Sequence, residues 1–236
     1  MRANLLAAAV DHGFTHFDTA PLYGFGIAER DLALILKAHP HLTVTTKVGL
    51  YPPGGVSQSP WSVVARKAAG KLINQLSRPK RCFDVRLAQT SLEGSLRRLG
   101  RDYIDLYLLH EPYIEEIDTD AWRSWLDGTV RAGQIRQYGM ASPLEMLAPF
   151  LKEPNALTAV IQTLDSVDGN EADILLNFGK PLQITYGYLW SARRRADRRS
   201  ALEILRQAAQ RSRDGALIVS TNRIERMGQY ARLLEP

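Results

Sequence analysis

The chain has 236 residues, of which 45% are hydrophobic and 23% are charged. It is therefore long enough to bury a substantial core and falls within the size range of a one-domain α/β barrel. No apolar stretch approaches the roughly 20 residues of a membrane-spanning helix, and the single cysteine, Cys82, excludes an internal disulfide. We expect one soluble, cytoplasmic domain over residues 1–236, with no membrane partner.

The net charge of +5 raises the question of a nucleic-acid partner, but much of the excess is local, because five arginines lie within residues 193–199. No zinc-ligand cluster, RNA-binding signature or glycine-rich phosphate loop accompanies them. The run is either a solvated helix face or a clamp for an anion, and we favour a phosphate on a small ligand over a polynucleotide.

Segments with helical spacing of apolar residues alternate with short apolar runs typical of strands along the whole chain. The predicted helices are 2–12, 26–38, 84–99, 118–132, 143–152, 170–178, 197–212 and 223–234. The predicted strands are 14–18, 42–48, 103–109, 135–141, 157–162, 181–186 and 215–219. This alternation implies parallel strands with right-handed crossovers, and the number of units favours a TIM-type (β/α)8 barrel. With seven strands, eight helices and a helix first, the barrel is predicted to be incomplete at its N-terminus.

One long irregular segment, residues 50–81, interrupts the alternation and is rich in proline and glycine at its beginning. Loops of this length in compact domains are usually functional or mobile. Residues 62–76 within it are predicted to form an extra helix. We interpret the segment as a flap over the site, with an irregular excursion as the alternative.

Reactive groups of such a barrel lie at the carboxyl ends of its strands. The first predicted strand ends in Asp18, the loop after it carries Tyr23, the second strand contains Lys47, and the third is followed by His110. A buried lysine needs a carboxylate, which Asp18 can supply. A lysine close to a phenol lowers the tyrosine pKa from about 10, so Tyr23 becomes a plausible general acid, and His110 could hydrogen bond to the same carbonyl oxygen.

Each of these four residues also has a purely structural interpretation. Asp18 could form a turn, Tyr23 could lie at the surface, Lys47 could extend its ammonium to solvent, and His110 could be a satisfied core histidine. Their occurrence together on consecutive strand ends favours the catalytic interpretation.

Four ordered segments resemble the aldo-keto reductase family. They are GFTHFDTAPLYGFGIAE at 13–29, TTKVG at 45–49, SLRRLGRDYIDLYLLHEP at 95–112 and GQIRQYGMAS at 133–142. The resemblance implies a (β/α)8 barrel that transfers a hydride from a reduced nicotinamide to an aldehyde, ketone or sugar carbonyl. The family's catalytic Asp, Tyr, Lys and His match the four residues at the strand ends, Asp18, Tyr23, Lys47 and His110.

The resemblance also implies a set of cofactor-binding residues. Gln162 is similar to the glutamine that holds the nicotinamide carboxamide, and Tyr186 to the aromatic residue on which the ring stacks. Ser142 stands in an Ala141-Ser142 pair where the family has Ser-Asn, so one carboxamide contact differs.

Thr221 and Arg226 match positions that bind the adenosine phosphate, although Tyr230 replaces an adenine-binding Asn. Arg193 begins an arginine run in the loop that the family wraps around the pyrophosphate. An arginine at position 226 favours NADP(H) over NAD(H), because it can pair with the 2′-phosphate.

Alternative functions follow from the same features. A chain that keeps the four catalytic residues but lacks a complete cofactor floor could be a binding or regulatory protein with impaired turnover.

A barrel with one strand missing exposes two strand edges, from which we expect self-association. A metal-dependent hydrolase is disfavoured, and no metal is expected, because the five histidines do not fall together on strand ends.

Overall fold

The structure is a computed structural model that describes residues 2–53, 55, 79–152 and 154–233. The helix predicted at 62–76 lies outside the described residues. The described helices are α1 (Arg2–Asp11), α2 (Ile27–Ala38), α3 (Val85–Leu99), α4 (Thr119–Arg131), α5 (Leu144–Leu151), α6 (Ile174–Asn177), α7 (Tyr188–Arg194), α8 (Ala201–Arg211) and α9 (Glu225–Ala231). The described strands are β1 (His16–Asp18), β2 (Thr43–Val48), β3 (Leu50–Tyr51), β4 (Lys80–Arg81), β5 (Ile104–His110), β6 (Ile135–Ala141), β7 (Ile161–Leu164), β8 (Ile184–Tyr186) and β9 (Ala216–Leu217).

The chain divides into two compact units, one of residues 16–138 and one of residues 1–15 with 139–236. In the first unit the parallel strands follow the order β1-β2-β5-β6. Strand β6 begins in that unit and ends in the second, where the order is β6-β7-β8-β9. The seven parallel strands of the described residues, with helices between them, confirm the predicted class, an incomplete (β/α)8 barrel. A single domain over the whole chain stays a prediction.

The sheet of the unit 16–138 is buried along its central strands. Phe17 of β1 lies opposite Val44 of β2, and Lys47 of β2 lies opposite Leu108 of β5. The side chains of Val44 and Leu108 are fully buried. Strands covered on both faces are expected to be almost continuously apolar, and the polar Lys47 departs from that pattern.

The helices of this unit begin and end at residues suited to those positions. Asp84 caps α3 by accepting a hydrogen bond from Leu87 N at 2.9 Å, and Asp118 caps α4 by accepting one from Ala121 N at 3.0 Å. Each such cap satisfies a backbone N–H that lacks a partner within the helix. Helix α3 ends at Gly100, which has the left-handed φ of 62° typical of glycine after a helix.

A buried carboxylate joins two helices to the sheet of this unit. Glu29 of α2 is fully buried and accepts hydrogen bonds from Arg98 Nε of α3 at 2.6 Å and from Thr46 Oγ1 of β2 at 2.7 Å. A buried charge is tolerated only when it is paired and hydrogen bonded, as this one is. The network fixes the residue that immediately precedes Lys47.

The second unit has a similar buried carboxylate behind its sheet. Asp165 follows β7, is fully buried, and accepts hydrogen bonds from Arg211 Nε at 2.6 Å and from the Tyr188 hydroxyl at 2.8 Å. Gly139 of β6 lies against the backbone of Val160, so a Cβ atom at position 139 would meet Val160 O at 2.0 Å. Only glycine fits at this position without a shift of the main chain.

Several predicted boundaries in the second unit are wrong, and one helix was missed. The strand predicted at 157–162 begins at Ile161, because Asn155 caps a 3-10 turn by accepting from Leu157 N at 2.9 Å. The helix predicted at 197–212 begins at Ala201, after a capping box formed by Ser200. Helix α7 was not predicted, and the arginine run that was assigned to a loop begins within its last turn.

Candidate active site

The ammonium of Lys47 is buried near the carboxyl end of β2. Its side chain is 2% exposed, and Nζ lies 2.5 Å from Asp18 Oδ1 and 3.1 Å from the carbonyl oxygen of Thr19. Burial lowers the pKa of Lys47, and the neighbouring Asp18 carboxylate opposes that change. Asp18, at the end of the adjacent strand, therefore supplies the carboxylate partner that a buried lysine needs.

Tyr23 begins the short 3-10 turn that follows β1, and its side chain is half-exposed. Lys47 Nζ lies 5.1 Å from the centroid of its ring. The turn is unusual, because Gly24, Phe25 and Gly26 all have positive φ, and Phe25 at 62° is a conformation that costs a non-glycine residue energy. The backbone thus uses a strained turn to hold the tyrosine against the lysine.

His110 is the last residue of β5, is 8% exposed, and meets the Tyr23 ring edge-on at 6.0 Å between centroids. Burial, followed by the positive charges of Lys47 and Arg81, lowers the pKa of His110 to about 3. The imidazole is therefore neutral near pH 7, with one nitrogen as donor and the other as acceptor. Its Nδ1 is buried and has no hydrogen-bond partner among the described residues.

The structure brings together all four side chains that the sequence placed at strand ends in the unit 16–138. Asp18, Lys47, Tyr23 and His110 form a continuous chain of contacts, from the carboxylate to the ammonium, to the phenol ring and to the imidazole. A half-exposed phenol beside an ammonium and a neutral imidazole can donate a proton and a hydrogen bond to an oxygen atom.

Sequence reasoning missed one cation at this site. Arg81, on β4, donates a hydrogen bond to the carbonyl oxygen of Glu111, which directly follows His110. No motif indicates it, because Arg81 and Glu111 are 30 residues apart and the contact depends on the pairing of β3 with β4.

Three of the predicted cofactor residues lie at or near the carboxyl ends of neighbouring strands in the second unit. Ser142 follows β6, and its N–H donates to Gln162 O at 3.0 Å. Gln162 is the second residue of β7 rather than its last, and Tyr186 ends β8. Ser142 and Gln162 are buried, and the Ser142 hydroxyl has no hydrogen-bond partner among the described residues.

The remaining cofactor candidates lie on helices and loops of the same unit. Arg193 is exposed in the last turn of α7, and Arg226 is half-buried on α9. Neither forms an ion pair with any residue that the structure describes. Thr221 Oγ1 accepts a hydrogen bond from Arg223 N at 3.1 Å.

Other arginines of the basic run are already engaged. Arg195 pairs with Glu171 at 2.9 Å, Arg199 pairs with Asp197 at 2.5 Å, and Arg194 stacks on Trp190 at 4.7 Å. The free positive charge of the run is therefore smaller than its composition suggests.

The sequence model of the aldo/keto reductase family matches residues 2–150, so the chain belongs to that family. A 6-dehydroglucose reductase from Novosphingobium aromaticivorans is 32% identical over 170 residues, which are 66% of this chain and 47% of the relative. A D-threo-aldose 1-dehydrogenase from a Pseudomonas species is 33% identical over 116 residues, which are 48% of this chain and 35% of the relative. The chain thus spans less than half the length of these curated relatives.

Solved structures show the same fold. An aldo-keto reductase from Bacillus halodurans in its holo form has a TM-score of 0.74 at 19% identity, covering 99% of this chain and 81% of that one. An aldo-keto reductase from Klebsiella pneumoniae in complex with NADPH has a TM-score of 0.62 at 22% identity, covering 100% of this chain and 79% of that one. Within the described residues, no helix is long and apolar enough to cross a membrane.

Proposed function

We propose that this chain is an NADPH-dependent oxidoreductase that reduces an aldehyde, ketone or sugar carbonyl, with Tyr23 as the general acid. The observation that carries the proposal is the buried ammonium of Lys47. It lies 2.5 Å from the Asp18 carboxylate and 5.1 Å from the centroid of the Tyr23 ring. A protein that buries a lysine beside a half-exposed phenol has a chemical use for that charge.

The proton comes from the phenol of Tyr23. An ammonium beside a phenol stabilises the phenolate that remains when the hydroxyl gives its proton to a carbonyl oxygen. Asp18 keeps Lys47 charged against the effect of burial, since the two side chains form a close ion pair. Loss of Asp18 or of Lys47 should therefore make Tyr23 a weaker proton donor without removing the phenol itself.

His110 orients the carbonyl. Its imidazole is neutral near pH 7, so it can donate one hydrogen bond to an oxygen without competing as an acid. The His110 ring meets the Tyr23 ring edge-on, with 6.0 Å between the centroids. Two donors that converge on one oxygen stabilise the negative charge that develops there during reduction.

The residues of the second unit fit a nicotinamide dinucleotide. The buried Ser142 hydroxyl lacks a partner among the described residues, and a carboxamide would satisfy it together with Gln162. Tyr186 offers an aromatic face, Arg193 and Arg226 offer cations for phosphate, and the nearby Thr221 hydroxyl would add a hydrogen bond. When bound, NADPH supplies the hydride.

A sugar carbonyl is the substrate class that we favour. The relatives named above are a 6-dehydroglucose reductase and a D-threo-aldose 1-dehydrogenase, and both names describe oxidoreductases of sugars. A half-exposed acid and a neutral imidazole suit a polar substrate that must enter and leave from water.

The test is steady-state turnover of the purified chain with NADPH and a panel of aldoses, ketoses and simple aldehydes. We expect Tyr23→Phe to lower kcat by at least about a hundredfold, as for other positioned proton donors, with NADPH affinity nearly unchanged. Tyr103→Phe is the matched control, because Tyr103 lies just before the start of the strand that ends at His110.

Two results would contradict the proposal. A Tyr23→Phe variant with near-normal turnover would remove Tyr23 from the mechanism. Tight NADPH binding without turnover of any carbonyl by the unmodified chain would favour a binding or regulatory protein instead.

A further inference from the structure

The guanidinium of Arg81 lies against the turn that leaves the catalytic strand β5. It donates a hydrogen bond to the Glu111 carbonyl oxygen, stacks on the Tyr113 ring at 4.6 Å and lies 3.9 Å from the Glu116 carboxylate. All three partners belong to the segment immediately after His110.

The position of Arg81 is itself fixed by the pairing of β3 with β4. It ends β4, where it lies opposite Leu50 of β3, and the next residue, Cys82, donates its N–H to Gly49 O at 2.9 Å. Gly49 has a φ of 106°, and a Cβ atom there would meet the Phe83 ring at 2.1 Å. The strand pair therefore ties Arg81 to the chain two residues after Lys47.

Glu111 needs support from its surroundings. Its φ of 54° lies in the left-handed region, which is uncommon for a residue other than glycine, asparagine or aspartate and costs energy unless other contacts hold it. The bond from Arg81 to the Glu111 carbonyl is such a contact. It holds the carbonyl group of the residue that directly follows His110.

Arg81 also acts on His110 through its charge. Among the described residues, the Tyr23 ring meets the imidazole edge-on, and the charges of Lys47 and Arg81 both oppose a positive charge on His110. With burial, they hold the pKa of His110 low. Removal of one cation makes the imidazolium less unfavourable.

We infer that Arg81 is a positioning residue for His110: it holds the left-handed turn at Glu111 in place and favours the neutral imidazole. The inference rests on the proposed function, in which His110 orients the carbonyl. Arg81 acts through His110 rather than on the reacting atoms.

Three substitutions separate the hydrogen bond from the charge. Arg81→Met removes both, Arg81→Gln keeps a donor without the charge, and Arg81→Lys keeps a donor and the charge. We expect kcat to fall about ten- to a hundredfold in Arg81→Met, a loss typical of a misplaced catalytic group. Turnover should recover partly in Arg81→Gln and most in Arg81→Lys, with NADPH affinity within about twofold of the unmodified chain throughout.

The second readout does not depend on activity. The ring resonances of His110 are identified by NMR as those lost in His110→Asn. We expect their chemical shifts to change at neutral pH in Arg81→Met and to return toward the original values in Arg81→Lys. If the unmodified chain reduces no carbonyl, the proposed function fails, yet these resonances still decide whether Arg81 positions His110.

Two controls complete the design. Arg123→Met removes an exposed cation that pairs with Asp120 at 3.2 Å on α4, and Glu116→Gln removes the ion-pair partner while it leaves the carbonyl contact. Both should keep near-normal turnover and His110 resonances. An Arg81→Met variant with unchanged kcat and unchanged resonances would overturn the inference, as would a loss of NADPH affinity that matches the loss of kcat.

Discussion

The buried imidazole of His110 should make the folded chain sensitive to mild acid. Burial and the charges of Lys47 and Arg81 lower its pKa from 6.5 to about 3. Between these two pH values His110 binds a proton in the unfolded chain but not in the folded chain, so the free energy of unfolding falls as the pH falls. The contribution is fully present above pH 6.5 and is lost progressively toward pH 3.

The size of the effect follows from proton linkage. One pH unit inside this interval removes about 1.4 kcal/mol from the free energy of unfolding. From about pH 6 to about pH 4, His110 alone should therefore cost on the order of 2–3 kcal/mol. Asn at position 110 does not titrate, so the difference between the chain and His110→Asn isolates this imidazole from the carboxylates.

Urea unfolding at a series of pH values measures the difference. We expect His110→Asn to gain stability relative to the unmodified chain by about 2–3 kcal/mol as the pH falls across that range. His41→Asn, which replaces an exposed imidazole, is the control for the substitution itself. If the His110→Asn curve runs parallel to that of the unmodified chain, His110 titrates alike in the folded and unfolded chains, and the reasoning from burial is wrong.

Other substitutions test the buried pair, the tight glycine and the cofactor arginine. Arg98→Met leaves the buried Glu29 carboxylate without its partner charge, so thermal unfolding should show a loss of about 3–5 kcal/mol in the free energy of unfolding. The double variant with Glu29→Gln should recover part of that loss. Gly139→Ala should destabilise by about 1–3 kcal/mol, because its Cβ meets a backbone oxygen, whereas Gly128→Ala in α4 should stabilise by about 0.5–1 kcal/mol; the opposite order would show that the main chain near Gly139 yields. In fluorescence titrations, Arg226→Ala should weaken NADPH binding far more than NADH binding, and equal losses would remove this arginine from the 2′-phosphate site.

The catalytic cluster could be predicted from the sequence because its signal is local. Polar residues that close apolar strands lie at one end of a parallel sheet, so Asp18, Lys47 and His110 were predicted to converge, and the structure brings them together. The alternation of strands and helices was equally visible, since each element carries its own period.

The features that were missed leave no periodic signal in the sequence. Helix α7 begins with Tyr188, Leu189 and Trp190 in succession, which is not a helical spacing of apolar residues. The role of Arg81 requires the pairing of β3 with β4 before its side chain can reach Glu111. Periodicity carries no information on either point.

The carboxylate of Glu29 connects three of the four segments by which the family is recognised. Glu29 ends the first segment, Thr46 belongs to the second, and Arg98 belongs to the third. These segments therefore contain residues that the fold needs as well as residues that the proposed chemistry needs. A descendant that exchanged Tyr23 and abandoned catalysis would still keep these three positions, because selection for a folded chain alone would preserve Glu29 and its two partners. Conversely, a library built to change the substrate should spare this trio as well as the residues proposed to act in the reaction.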